Sequence, residues 1–228
     1  MVTVLAPTMS HEGRAMVDIY KDALLNVADA ATYIAMPQST LGTWRKQKTI
    51  HSIPAQRQGL PSLPFVAVVE AFVLRSLVEA GFPGRRIREA AEGARAYFGD
   101  PYALARPGIG HDGTEIFIRA GGDELLRARD RQQAISETVT NFHEFIRWDD
   151  QEPTQLRLRQ FDGSVILDPR FGWGRPVVQE NRVPLNAILD LWHARESIRT
   201  IAGEFDMDRD DVERLIQDYD RSVQRAAA

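Results

Sequence analysis

Apolar side chains recur at Val27, Ala30, Ala31 and Ile34, the i, i+3, i+4, i+7 spacing of a short helix that buries one stripe. Ala35, Met36 and Pro37 follow as a turn, because proline cannot continue the helical ladder and pushes Met36 toward extended geometry. A second helix is predicted from about Gln38, with Leu41 and Trp44 docking on the small Ala30 and Ala31. This is a helix, a tight turn and a helix. Its outer stripe is Ser39, Thr43 and Lys46, flanked by Gln38 and Arg45.

Along the rest of the chain the period changes twice. Residues up to about Met16 show none and are expected to form an arm. Gln47 to Pro61 is polar and rich in turn formers, so it reads as a loop or a small wing. Ser62 can cap a helix starting near Leu63 and Pro64, apolar on more than one face until Gly81 and therefore central to a core or a dimer. A further helix spans about Gly84 to Phe98, ended by Gly99, Asp100 and Pro101. From Thr114 a period of two sets in. Thr114–Arg119 and Asp123–Arg127 flank Ala120, Gly121 and Gly122 as a hairpin, and Gln155–Phe161 turns through Asp162 and Gly163 into Val165–Leu167. Between them Ile135, Val139, Phe142 and Ile146 predict an amphipathic helix over about 131–147. The strands are expected to form one small antiparallel sheet. Three helical segments close the chain, carrying Ile188, Leu189 and Leu191, then Ile201 and Ala202, then Val212, Leu215 and Ile216 behind a capping Asp208.

The fold class this predicts is mainly α with a small antiparallel β-sheet (α+β). An N-terminal winged helix-turn-helix over 17–112 is followed by a hairpin, helix and strand region over 113–170, then a C-terminal three-helix, helix-turn-helix-like domain over 171–228. The 228 residues are 43% hydrophobic and 26% charged, an ordinary globular balance. The absence of cysteine excludes disulfides, thiol catalysis and thiolate-held metals. No apolar run reaches the roughly 18 residues of a membrane span, so no membrane association and a cytoplasmic location are expected.

Charge sharpens the reading of the first helix pair. The net charge is −4, yet Ala30 to Val69 holds Arg45, Lys46, Lys48 and Arg57 and no acidic residue. Short hydroxyls, an amide and cations on one helix face suit base edges and phosphates in a major groove. The expected DNA-binding residues are Gln38, Ser39, Thr40, Thr43, Arg45 and Lys46, with Lys48, His51 and Arg57 on phosphates if the following loop is a wing. The last helices lack this balance. Glu204 to Asp220 carries eight acidic side chains against Arg209 and Arg214, so phosphate would be repelled there and protein contacts are expected instead.

Asn26 to Ala31, then Ala35, Met36 and Pro37, then Thr40, Leu41 and Trp44 resemble the opening helix-turn-helix of MerR-like winged DNA-binding domains. The resemblance carries DNA binding to Ser39, Thr43, Arg45 and Lys46. It departs at Gly42, where such helices often hold a cation. Gly174, Arg175, Pro176, Val177 and Val178, then Arg182, Val183 and Pro184 and the helices after them resemble a small domain of formerly unassigned function that accompanies VapB-like antitoxins, over Phe171 to about Tyr219. Leu63 to Phe98 is similar to the N-terminal region of that group. The resemblance implies a homodimeric antitoxin that binds double-stranded operator DNA, represses its own promoter and neutralises a VapC-like PIN-domain ribonuclease toxin. A cation inserted into a carboxylate-rich nuclease site would serve the last task, which makes Arg157, Arg159, Arg221 and Arg225 the candidates for partner binding.

Catalysis is not expected. Asp149, Asp150 and Glu152 sit in what reads as a solvated loop, His111, His143 and His193 show no ligand spacing, and no serine stands in a nucleophile elbow. No catalytic residue, metal site or cofactor is therefore assigned. Two alternatives remain at this point. One is a MerR-like regulator sensing a small molecule, with a pocket in the hairpin-and-strand region. The other is an interaction module that uses its acidic C-terminal helices and binds no DNA.

Overall fold

The computed structural model describes residues 17–55, 57, 59–111, 116–119, 125–127, 133–134, 140–141 and 143–228. The expected N-terminal arm lies outside the described residues. Helix α3, Phe65–Glu79, is covered on all sides, with every residue from Phe65 to Leu77 buried. A helix that is apolar all round needs such cover, and each fully buried Phe or Leu contributes roughly 1.5–3 kcal/mol. Because its own protomer consumes this helix, the core alternative holds and the dimer alternative does not. The helix is not capped by Ser62. Pro64 stands at the N-cap, while Ser62 is buried and donates its N–H to Leu25 O at 3.0 Å beside a bridge between Leu25 and Leu63.

Around α3 lie α1, Val27–Tyr33, α2, Gln38–Lys46, and α4, Gly84–Phe98. The predicted bounds of α4 are the observed ones, and Gly99 ends it in the left-handed conformation at φ 62°. Among the described residues 47–61 no strand forms, so those residues make a loop.

The β-structure differs from the single sheet expected. Strands β1 Ile109–His111, β2 Ile116–Arg119, β3 Leu125–Arg127, β4 Gln133–Ala134 and β5 Thr140–Asn141 form one antiparallel sheet in the order β4-β3-β2-β1-β5. Strands β6 Ile146–Asp149, β7 Glu152–Arg157, β8 Val165–Leu167 and β9 Val177–Val178 form a second, in sequence order. The strands of the predicted hairpin pair, Ile118 opposite Leu126, and its Ala120–Gly122 turn lies outside the described residues. The helix expected over 131–147 does not form at its described positions, which β4, β5, a 3-10 turn at His143–Phe145 and the start of β6 occupy. The helical spacing there coincides with β-branched residues at Thr138, Val139, Thr140 and Ile146, which suit a pleated surface once a neighbouring strand is present. Ile146 is buried opposite Leu156 on β7. The strand expected over Gln155–Phe161 ends at Arg157, with Leu156 and Leu158 buried and Arg157 and Arg159 outside.

Helices α5 Leu185–His193, α6 Ile198–Phe205 and α7 Arg209–Ala227 complete the chain. Ser197 caps α6 by accepting Thr200 N–H at 3.1 Å, and Asp208 caps α7 by accepting Asp210 N–H at 2.9 Å. Val212, Leu215 and Ile216 face inward as expected. Helix α7 packs against α1 and against the short turn Arg159–Phe161. Gly174, at φ 73°, lies so close to Leu24 that an added Cβ would stand 2.3 Å from Leu24 Cδ1. One cluster of buried side chains extends from Leu25 to Ile216, so the mixed α+β chain shares a continuous core.

Candidate nucleic-acid interface

The first helix pair is set by local chemistry. Asn26 accepts Asp29 N–H at 2.8 Å and caps α1. Ala35 turns the chain at φ 49°, Met36 N–H reaches back to Ala31 O at 2.9 Å, and Pro37 takes the N-cap of α2. Leu41 and Trp44 on α2 and Ala30 and Ala31 on α1 are buried where the two helices pack in the shared core, which fixes the outward face of α2. That face exposes Gln38, Ser39, Thr43 and Lys46, with Thr40 and Arg45 half-buried beside them. Thr43 donates its hydroxyl proton to Ser39 O at 2.9 Å, so its oxygen is left to accept from a ligand. Lys46 and the following Lys48 are exposed and make no ion pair among the described residues. A Cβ at Gly42 would meet nothing within 4 Å. Arg57 is exposed on the loop.

His51 is placed differently from its expected role. Its ring is half-buried edge-on to Tyr102, with centroids 4.8 Å apart, and its backbone N–H donates to Glu70 Oε2 at 2.6 Å. Burial, then the nearby Arg95, holds its pKa below the usual range. Glu70 is fully buried in α3, and burial pushes its acid up to about 7 against the opposing pull of His51 N–H and Arg95. Arg95 reaches from α4 to Thr49 O at 2.6 Å, Lys48 O at 3.3 Å, Pro101 O at 3.0 Å and Glu70 Oε1 at 3.4 Å. The loop that follows α2 is thus tied from behind by a buried acid and an arginine. Neither Glu70 nor Arg95 stood out in sequence. The available signal was that Glu70 and Arg75 are lone charges in the apolar run from Leu63 to Val78.

The candidate partner arginines fall in two clefts and on one helix face. Arg157 lines a cleft of about 480 Å³ with Asp211, Arg214 and Asp218. Arg159 and Arg225 line another of about 540 Å³. Arg221 is held by Asp218 on α7. Asp149, Asp150 and Glu152 lie at a β6–β7 hairpin and not in an open loop, and Glu152 Oε1 accepts Tyr20 O–H at 2.9 Å. Among the described residues no three His, Asp or Glu side chains cluster as a metal site, and no helix is long and apolar enough to cross a membrane.

Comparison with known proteins adds a relationship to this geometry. The family described as "Protein of unknown function (DUF433)" matches residues 165–217, which span β8 to the first half of α7. The crystal structure of Rv2018 from Mycobacterium tuberculosis is similar at 25% identity with a TM-score of 0.66, over 86% of this chain and 98% of that one. The chain is also similar over most of its length to the protein named "Putative antitoxin VapB45" of Mycobacterium tuberculosis (strain ATCC 25618 / H37Rv), at 29% identity over 217 residues, 83% of this chain and 90% of the relative.

Proposed function

We propose that this protein is a DNA-binding antitoxin that neutralises a VapC-like PIN-domain ribonuclease and represses its own operon. The observation that carries the antitoxin reading is the similarity to the mycobacterial VapB45 protein along 83% of this chain. The DNA reading is supported by the exposed face of α2, where an amide, two hydroxyls and Lys46 stand outward in a stretch without acidic residues. In this reading α2 enters a major groove, with Gln38, Ser39 and Thr43 at base edges and Lys46, Lys48 and Arg57 on phosphates. Thr43, its proton given to Ser39 O, accepts from an adenine or cytosine amino group. Two copies related by a twofold axis match a palindromic operator. His51, turned toward Tyr102, positions the loop and does not touch phosphate.

Toxin contact falls to Arg157, Arg159, Arg221 and Arg225, which lie on or beside the C-terminal helices and not on the reading helix itself. The test has two parts. Anisotropy titrations on the DNA upstream of the gene, across a salt series, should show sequence-specific binding that Lys46→Ala and Thr43→Ala each alter. Purification from the host should bring down a ribonuclease whose activity the protein suppresses. If both variants bind the operator as wild type does, α2 is not the reading helix; if no nuclease is held, the antitoxin reading fails.

A further inference from the structure

Arg75 on α3, Arg159 just after β7 and Arg225 on the last turn of α7 meet in the cleft of about 540 Å³, whose lining among the described residues also holds His111 and two carboxylates, Glu79 and Glu144. Glu79 shows which chemistry fits. One of its oxygens takes Arg75 Nη2 at 2.6 Å, and the other takes Arg159 Nη1 at 3.3 Å. A planar carboxylate therefore already sits between two guanidiniums, the geometry arginine favours. Arg159 spends one of its five donors in this way and is 5.7 Å from the centroid of the Phe145 ring. Arg225 is exposed and forms no hydrogen bond or ion pair with a described residue. Uncommitted donors thus remain on two arginines of the cleft, which is within the size range of small-molecule sites.

The cleft also lies directly behind the turn of the first helix pair. Arg75 Nη1 donates to Ile34 O and Gln160 Nε2 donates to Tyr33 O, the last carbonyls of α1. Both residues line the cleft.

We propose that this cleft binds a small organic carboxylate, bridged by Arg159 and Arg225, and that its occupancy is passed through Glu79 and Arg75 to the α1–α2 turn. The entering carboxylate draws Arg159 away from Glu79, which leaves Glu79 to Arg75 alone and shifts the hold of Arg75 on Ile34 O. It also withdraws Arg159 and Arg225 from any toxin contact. The binding site stands on its own geometry, whereas the regulatory consequence rests on the DNA-binding reading of α2.

Succinate and inorganic phosphate are the probes, titrated into the full chain without DNA and followed by amide NMR. Succinate should bind saturably and move the amides of Arg159, Arg225, Ile34 and Ala35. Arg159→Ala and Arg225→Ala should each weaken it about tenfold through the loss of a charge-assisted hydrogen bond. Glu79→Gln, which removes the internal competitor, should tighten it; a purely structural role for these arginines predicts no gain. Arg225 stands exposed on the terminal turn, so its variant decides the matter should the others fold poorly. No saturable succinate binding, binding indifferent to Arg225→Ala, or phosphate bound as tightly as succinate overturns the site. Shifts confined to the cleft, with Ile34 and Ala35 unmoved, overturn the transmission. Succinate bound by a protein that binds no operator would leave the site standing and remove the DNA reading.

Discussion

Replacing Glu70 by glutamine should change how stability depends on pH. The carboxyl is fully buried, and its pKa stands at about 7 against an ordinary 4.5. The folded protein therefore holds this proton more tightly than the unfolded chain does. The stability so gained is fully present below the ordinary carboxylate range and is lost as pH rises through about 7. At about 1.4 kcal/mol per pH unit, the interval corresponds to about 3 kcal/mol. Glu70→Gln keeps the shape and an acceptor for His51 N–H but does not titrate, while Arg95 keeps Thr49 O, Lys48 O and Pro101 O as acceptors. The difference in unfolding free energy between variant and wild type should move by about 3 kcal/mol in the variant's favour between about pH 4 and pH 8. Urea unfolding of both proteins at each pH measures this. His51, whose folded pKa is lowered, opposes the trend in the same window, but it is present in both proteins and cancels in the difference. A difference constant to within about 1 kcal/mol would show that Glu70 does not titrate as its burial demands.

Three other expectations follow from single side chains. Gly42→Ala should stabilise the protein by up to about 1 kcal/mol, since the position is helical and open, and a lower melting temperature would contradict it. Gly174→Ala should cost about 1–3 kcal/mol, because it places a Cβ against Leu24 at a positive φ, and an unchanged melting temperature would show that the Leu24 contact yields freely. Lys46→Ala should weaken all DNA sequences alike and reduce the salt slope by about 1, whereas Thr43→Ala should alter preference among operators; a slope identical to wild type would take Lys46 off the phosphates.

The sequence by itself determined what near neighbours decide. The α1–α2 pair with its Pro37 turn, the bounds of α4, the cap at Asp208 and the Asp162–Gly163 turn all rest on hydrogen bonds or φ values set within a few residues, and spacing reports those directly. The outward stripe of Gln38, Ser39, Thr43 and Lys46 was legible for the same reason: Leu41 and Trp44 mark the opposite face. Tertiary structure decided the rest. Residues 131–147 carry helical spacing, but strands paired from elsewhere in the chain took their described positions, and one expected sheet became two. The partner of β5 is β1, far back in the chain, and such a pairing leaves no local trace. His51 read as a loop cation until Glu70 and Tyr102, 19 and 51 positions away, turned it inward. Arg75, Arg159 and Arg225 are separate charges in the sequence, and only the packing of α7 against α1 and the turn after β7 makes them one cleft. Local backbone preference could specify the helix pair, whereas the groups that hold it from behind came together only when the core closed.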